Sequence, residues 1–259
     1  MRLRDLGPAE NAFYREHHRC QTVESVRASM ERYAALDKAT MTMADALRRL
    51  DTFVDPSDPD LDHPNSVHAY QTAEAIRRAR PGDTALQATG LIHDLGKVLH
   101  QWGEPAWNVV GDTHVVGCAP PPPGAVVVRE AFGDNPDSRC PEYRSEHGMY
   151  PPHCGLDRLL LSYGHDEYLY QVLAGNRERH RLPLEYADIV RFHSFYPWHT
   201  HGAYHHFMTK ADRNTLRAVR DFNRFDLYSK EDTDFEVTPE VRARYDRLLR
   251  HYFPEPLRW

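Results

Sequence analysis

From Thr22 to Leu36 the apolar residues Val23, Val26, Met30 and Tyr33 recur three and four apart, with charged residues between them. That spacing predicts a helix with one buried face. A second helix is predicted from Thr42, with Asp45 near its start and Arg48 and Arg49 near its end, as the helix dipole prefers. Asp55 to Ser66 is crowded with Pro and Asp and reads as turns. Asn65 or Ser66 then caps a helix that closes at Arg80-Pro81-Gly82, and Thr84 to Leu99 forms the next. The short turn between these two makes an antiparallel pair, which sets His68, early in the first, opposite His93, late in the second.

Beyond Trp102 the periodicity stops. Prolines through Trp102 to Cys140 exclude a helix there, and VVVRE (126–130) is expected as a short strand or extended edge. A loop this long inside a domain is usually functional. Helical spacing resumes near Cys154, again at Leu184 to Phe192 and Asp212 to Phe225, and finally at Pro239 to Phe253. Residues 1–20 read as a polar, irregular N-terminal arm, part of a lid, and 21–259 as one domain. The expected fold is mostly α, with long irregular covering loops.

Composition narrows the class. At 259 residues the chain is long enough for one sizeable core. A formal charge of −6 argues against nucleic-acid or anionic-membrane partners. No apolar run nears the roughly 20 residues that span a bilayer, and Asp5 and Glu10 interrupt what would otherwise resemble a secretory leader. Cys20, Cys118, Cys140 and Cys154 are scattered, without a CxxC pair, and read as reduced cytosolic thiols. These features suggest a cytoplasmic protein. The unusual number is 17 histidines, several of them in apolar surroundings.

The most informative stretch is LIHDLGK, Leu91 to Lys97. On a helix, His93, Asp94 and Lys97 reach one pocket. Burying a charged Asp beside a charged Lys is costly unless something balances them, and a metal ion would. His68, His165, Asp166, His193 and Asp226 sit in similar apolar stretches. Singly, each has a plain explanation as a core histidine or a helix cap. Jointly, imidazole nitrogen and carboxylate oxygen form a donor set for iron, zinc or manganese. Six ligands are too many for one catalytic ion with an open position; they suit two ions if Asp94 bridges.

The longer runs go further. DPDLDHPNSVHAYQTAEAIR, LIHDLGKVL, WGEPAWNVVGDTHVVGC, GMYPPHCGLDRLLLSYGHDEYLYQ, RFHSFYPWHT and FNRFDLYSK strongly resemble the myo-inositol oxygenase family, over nearly all of the chain from about residue 21. The resemblance implies a single-domain HD-type helical bundle with a non-haem di-iron site, mixed-valent Fe(II)/Fe(III). One iron would be held by His68, His93, Asp94 and Asp226, the other by Asp94, His165 and His193. Substrate contacts would fall to Asp55, Ser57, Lys97, Gly111, Asp112, His193, Ser194 and Lys230, with Lys97 and Asp94 catalytic. It also implies a lid arginine, for which Arg2 and Arg4 are the candidates. The implied reaction is a four-electron ring cleavage of myo-inositol by O2 to D-glucuronate, by a monomer with no nucleic-acid or membrane partner. Three other readings remain at this stage: an HD-type metal-dependent phosphohydrolase, an oxygenase of another cyclic polyol, and a polyol-binding or regulatory protein whose metals are structural.

Overall fold

A computed structural model describes residues 6–57, 64–229 (side chains to 227) and 235–259. Arg2, Arg4 and Lys230 lie outside the described residues. In chain order the helices are α1 (Pro8–Cys20), α2 (Val23–Tyr33), α3 (Met43–Arg49), α4 (Asn65–Ala79), α5 (Thr84–Ile92), α6 (His165–Gly175), α7 (Leu184–Phe192), α8 (Tyr196–His199), α9 (Asp212–Ser229) and α10 (Pro239–Tyr252). A two-residue strand β1 (Thr40–Met41) pairs antiparallel with β2 (Leu257–Arg258) and ties the C-terminus to the α2–α3 connection. The fold is mostly α, as the periodicity predicts.

Helix α5 is the axis of the molecule. Its residues Ala85 to Ile92 are all buried, and the burial runs on through Leu99. Asp83 caps it by accepting from the Leu86 amide at 3.0 Å, which satisfies one of the donors that a helix start leaves open. Helices α4, α7 and α10 pack around it. The α4–α5 hairpin brings the His68 and His93 rings to 5.3 Å between centroids, as expected from the short turn.

Four expectations need correction. Residues 8–20 are not an irregular arm but a helix, and Phe13, Tyr14, His17 and His18 are buried on its inner face. The segment from Thr84 to Leu99 is not one helix. The α-helix stops at Ile92, His93 and Asp94 form a turn, and a tighter 3₁₀ helix continues over Leu95–Trp102. VVVRE makes no strand: it bends into a 3₁₀ turn starting at Arg129, and among the described residues extended pairing in this region is limited to one bridge between Val115 and Leu161. Near Cys154 there is only a short turn at Leu156–Arg158, and α6 begins at His165. A smaller shift concerns α4, whose N-cap is Pro64 and not Asn65 or Ser66.

Gly96 explains why the tighter segment follows Asp94. A Cβ at this position would lie 1.8 Å from the carbonyl oxygen of His165. Only a residue without a side chain lets the Leu95–Trp102 helix press against the start of α6.

Candidate metal centre

Five elements each deliver part of one buried cluster. His68 comes from α4, His93 and Asp94 from the turn after α5, His165 from the first position of α6, His193 from the residue after α7, and Asp226 from α9. All six are buried. Helix boundaries and turns hold four of the six, His93, Asp94, His165 and His193, where a side chain can swing across to a neighbouring element.

The two carboxylates hold the cluster together. Asp226 Oδ1 lies 2.9 Å from His68 Nε2 and 3.4 Å from His93 Nε2. Asp94 faces both ways: its Oδ2 is 3.7 Å from His93 Nε2, while its Oδ1 is 3.2 Å from His165 Nε2 and 3.6 Å from His193 Nε2. Two donor groups result, His68/His93/Asp94 and Asp94/His165/His193, sharing Asp94.

The far nitrogens of the imidazoles are also committed. His93 Nδ1 donates to Gly90 O at 2.8 Å, His165 Nδ1 to Val109 O at 3.0 Å, and His193 Nδ1 to Val190 O at 2.7 Å. A neutral ring that donates from Nδ1 presents a lone pair at Nε2. His165 and His193 point these atoms at each other across 3.3 Å. Two lone pairs that close repel each other unless a proton or a metal cation lies between them.

Charge counting agrees. Among the described residues of the cluster, Asp55, Asp94 and Asp226 supply three buried carboxylates against the one ammonium of Lys97. Lys97 Nζ bridges Asp55 Oδ2 and Asp94 Oδ2 at 2.9 Å each. Burial alone would raise the Asp94 carboxyl, but Lys97, His93, His165 and His193 hold it well below its usual range. Asp226 is held down in the same way by His68 and His93. Burial would lower His93 and His165, yet the carboxylates opposite raise both. The site therefore attracts positive charge, and the donor chemistry, nitrogen and oxygen without thiolate, suits iron, zinc or manganese.

The candidate substrate contacts divide into two groups. Asp55, Ser57, Lys97 and Ser194 adjoin the cluster: Ser57 Oγ donates to Asp55 Oδ1 at 2.6 Å, and Ser194 Oγ lies 3.4 Å from His165 Nε2. Gly111 and Asp112 sit on the loop whose Val109 carbonyl anchors His165. There the Asp112 carboxylate faces His18 of α1, Oδ2 to Nε2 at 3.4 Å, and its carbonyl oxygen lies 2.9 Å from His17 Nε2. Asp166 stands apart from the candidate metal ligands, accepting from Thr113 Oγ1 at 2.8 Å and from the Glu167 amide.

Sequence reasoning missed α1 as a support for both turns that carry candidate substrate contacts. Tyr14 Oη reaches Ser57 O at 3.4 Å, and His17 and His18 hold the Asp112 loop. The signal was present: Phe13 and His17, and Tyr14 and His18, are four apart, with Pro8 and Glu10 where a helix starts.

Fold and site together define a helical protein with a buried histidine–aspartate centre built for metal. The chain belongs to the myo-inositol oxygenase family: the model of that family matches residues 9–259. Inositol oxygenase of Homo sapiens is 48% identical over 246 residues, covering 95% of this chain and 85% of its own. The Mus musculus protein of the same name is 46% identical over the same shares. A probable inositol oxygenase of Oryza sativa subsp. japonica is 46% identical over 250 residues, 95% of this chain and 80% of its own.

Proposed function

We propose that this chain is an inositol oxygenase that opens the ring of myo-inositol with O2 to give D-glucuronate. Two irons, mixed-valent Fe(II)/Fe(III), would be held by His68, His93, Asp94 and Asp226 on one side and by Asp94, His165 and His193 on the other. When bound, they supply Lewis acidity toward the polyol and the electrons for reaction with oxygen. The observation that carries the reading is the two-faced placement of Asp94 between two imidazole sets, beside a buried ammonium.

The protein's own groups bind and orient. Lys97 keeps a fixed positive charge, since Asp94 and Asp55 raise its pKa more than burial lowers it. That charge stabilises a polyol oxygen as it loses its proton. Asp55, Ser57, Asp112 and Ser194 offer acceptors and donors to the remaining hydroxyls, and the family resemblance adds Gly111 and Lys230 as further contacts. Burial of the whole cluster excludes bulk water, which strengthens each of these contacts. The same reading has the enzyme working as a cytoplasmic monomer. A phosphohydrolase is disfavoured, because the family matched over residues 9–259 is that of myo-inositol oxygenase.

The test is anaerobic loading with ferrous iron, then O2 and myo-inositol, following glucuronate and oxygen uptake. A preparation with two irons per chain that consumes no oxygen with any inositol isomer overturns the reading.

A further inference from the structure

Helix α6 starts at His165 and α7 ends just before His193, so the centre depends on how the first turn of one helix meets the last turn of the other. Glu167, third in α6, and Arg191, next to last in α7, meet at that junction. Arg191 Nε donates to Glu167 Oε2 at 2.8 Å, and its Nη2 lies 3.4 Å from Oε1. Their side chains are only 8% and 5% exposed, so this is a buried ion pair. The guanidinium is further held by Asp157 at 3.1 Å, and it lies over the Tyr170 ring at 4.5 Å and that of Phe192 at 5.3 Å.

A pair of this kind is poor value as a source of stability. Desolvating both charges offsets most of their attraction, and a well-packed apolar pair of equal volume does as well or better. What a two-point fork supplies is geometry, because two parallel bonds fix distance and rotation together. The residues that need such fixing lie two positions away on each side. His165 and His193 hold their Nε2 atoms 3.3 Å apart, and both reach Asp94 Oδ1. Glu167 lies at an N-terminal turn and Arg191 at a C-terminal turn, so the helix dipoles favour this polarity of the pair.

We propose that the Glu167–Arg191 pair is a positioning device for one half of the metal centre. It sets the separation of His165 and His193, and with it the affinity of that half for its ion, while the His68/His93/Asp226 half is set independently by α4, α5 and α9. This rests on the two-ion reading given above.

The test is anaerobic equilibrium dialysis of the full chain against ferrous ion, with metal counted per chain and thermal unfolding run in parallel. Wild type should hold two ions. Glu167→Gln and Arg191→Lys should keep the first near wild-type affinity and bind the second about 10- to 100-fold more weakly, as is usual for partners of metal ligands. The double change Glu167→Gln/Arg191→Met should recover thermal stability without recovering the second ion. Leu249→Ala, in the core on α10, serves as a control that lowers Tm and retains both ions. Retention of two tight ions in Glu167→Gln and Arg191→Lys overturns the proposal, as does equal weakening of both ions in step with Tm. A single ion in wild type overturns the two-ion reading itself, and is seen before any substitution is made.

Discussion

One methyl group at Gly96 tests the construction of the centre directly. The Cβ of Gly96→Ala would sit 1.8 Å from the His165 carbonyl oxygen, where real Cβ atoms essentially never approach within 3.0 Å. The two segments must separate by at least 3.0 − 1.8 = 1.2 Å. The obstructing atom is backbone, so no rotamer change relieves it. His165 Nε2 stands 3.2 Å from Asp94 Oδ1 and 3.3 Å from His193 Nε2, so the shift exceeds a third of either separation. Overpacking of this kind costs about 1–3 kcal/mol. At about 2–4 °C per kcal/mol for a chain of this size, Tm falls by roughly 2–12 °C. Activity should fall further than stability implies, by about 100-fold, since misplacement of order 1 Å at a reacting centre has that effect. Gly175→Ala is the matched control: its Cβ meets the end of the flexible Leu36 side chain, at the opposite end of α6 from His165. It should lose stability and keep activity within several-fold. The assay is glucuronate formation after ferrous loading, beside thermal unfolding. Gly96→Ala with activity within threefold of wild type at full metal content would refute the reasoning.

Other perturbations give distinct readouts. Lys97→Met leaves Asp55 and Asp94 without their shared cation. It should destabilise the metal-free protein by about 3–5 kcal/mol in denaturant titration and abolish turnover, and an unchanged midpoint would contradict the ion-pair account. His17→Leu removes the ring whose nitrogens meet Trp107 O and Asp112 O at 2.9 Å each. A several-fold rise in KM with kcat nearly constant is expected, and an unchanged KM would show that α1 does not hold the Asp112 loop for substrate. Acid should act through histidines buried as neutral rings. His114 is pushed well below 6.5 by burial and by His17 and His18, and burial pushes His199 down to about 4. Above pH 6.5 neither affects stability. As pH falls from 6.5 toward 4, the unfolded chain takes protons first and stability declines, by about 3 kcal/mol for His199 alone. Tm measured against pH should show this slope, and His199→Gln should flatten it.

The residues of the buried histidine–aspartate cluster were legible in the sequence because each sits in a locally apolar stretch. The 3.6-residue spacing of α2, α4 and α7 needs only neighbours along the chain, and so does the short turn that carries His68 to His93. Grouping His165 and His193 with Asp94 rested on the family resemblance, since donor chemistry alone does not say which donors share an ion. The rest depended on contacts between distant segments. A continuous helix through Asp94 was a fair expectation from local propensity, but the approach of α6 to Gly96 accompanies a turn there and a tighter helix beyond it. Helix α1 read as a loose arm because two of the four residues on its buried face are histidines, which a search for apolar periodicity counts as polar. Glu167 and Arg191 look like ordinary surface charges until α6 and α7 pack together and remove both from water. Local spacing along the chain decided which side chains face inward; packing between helices decided which of them meet, because burial and distance belong to the assembled core.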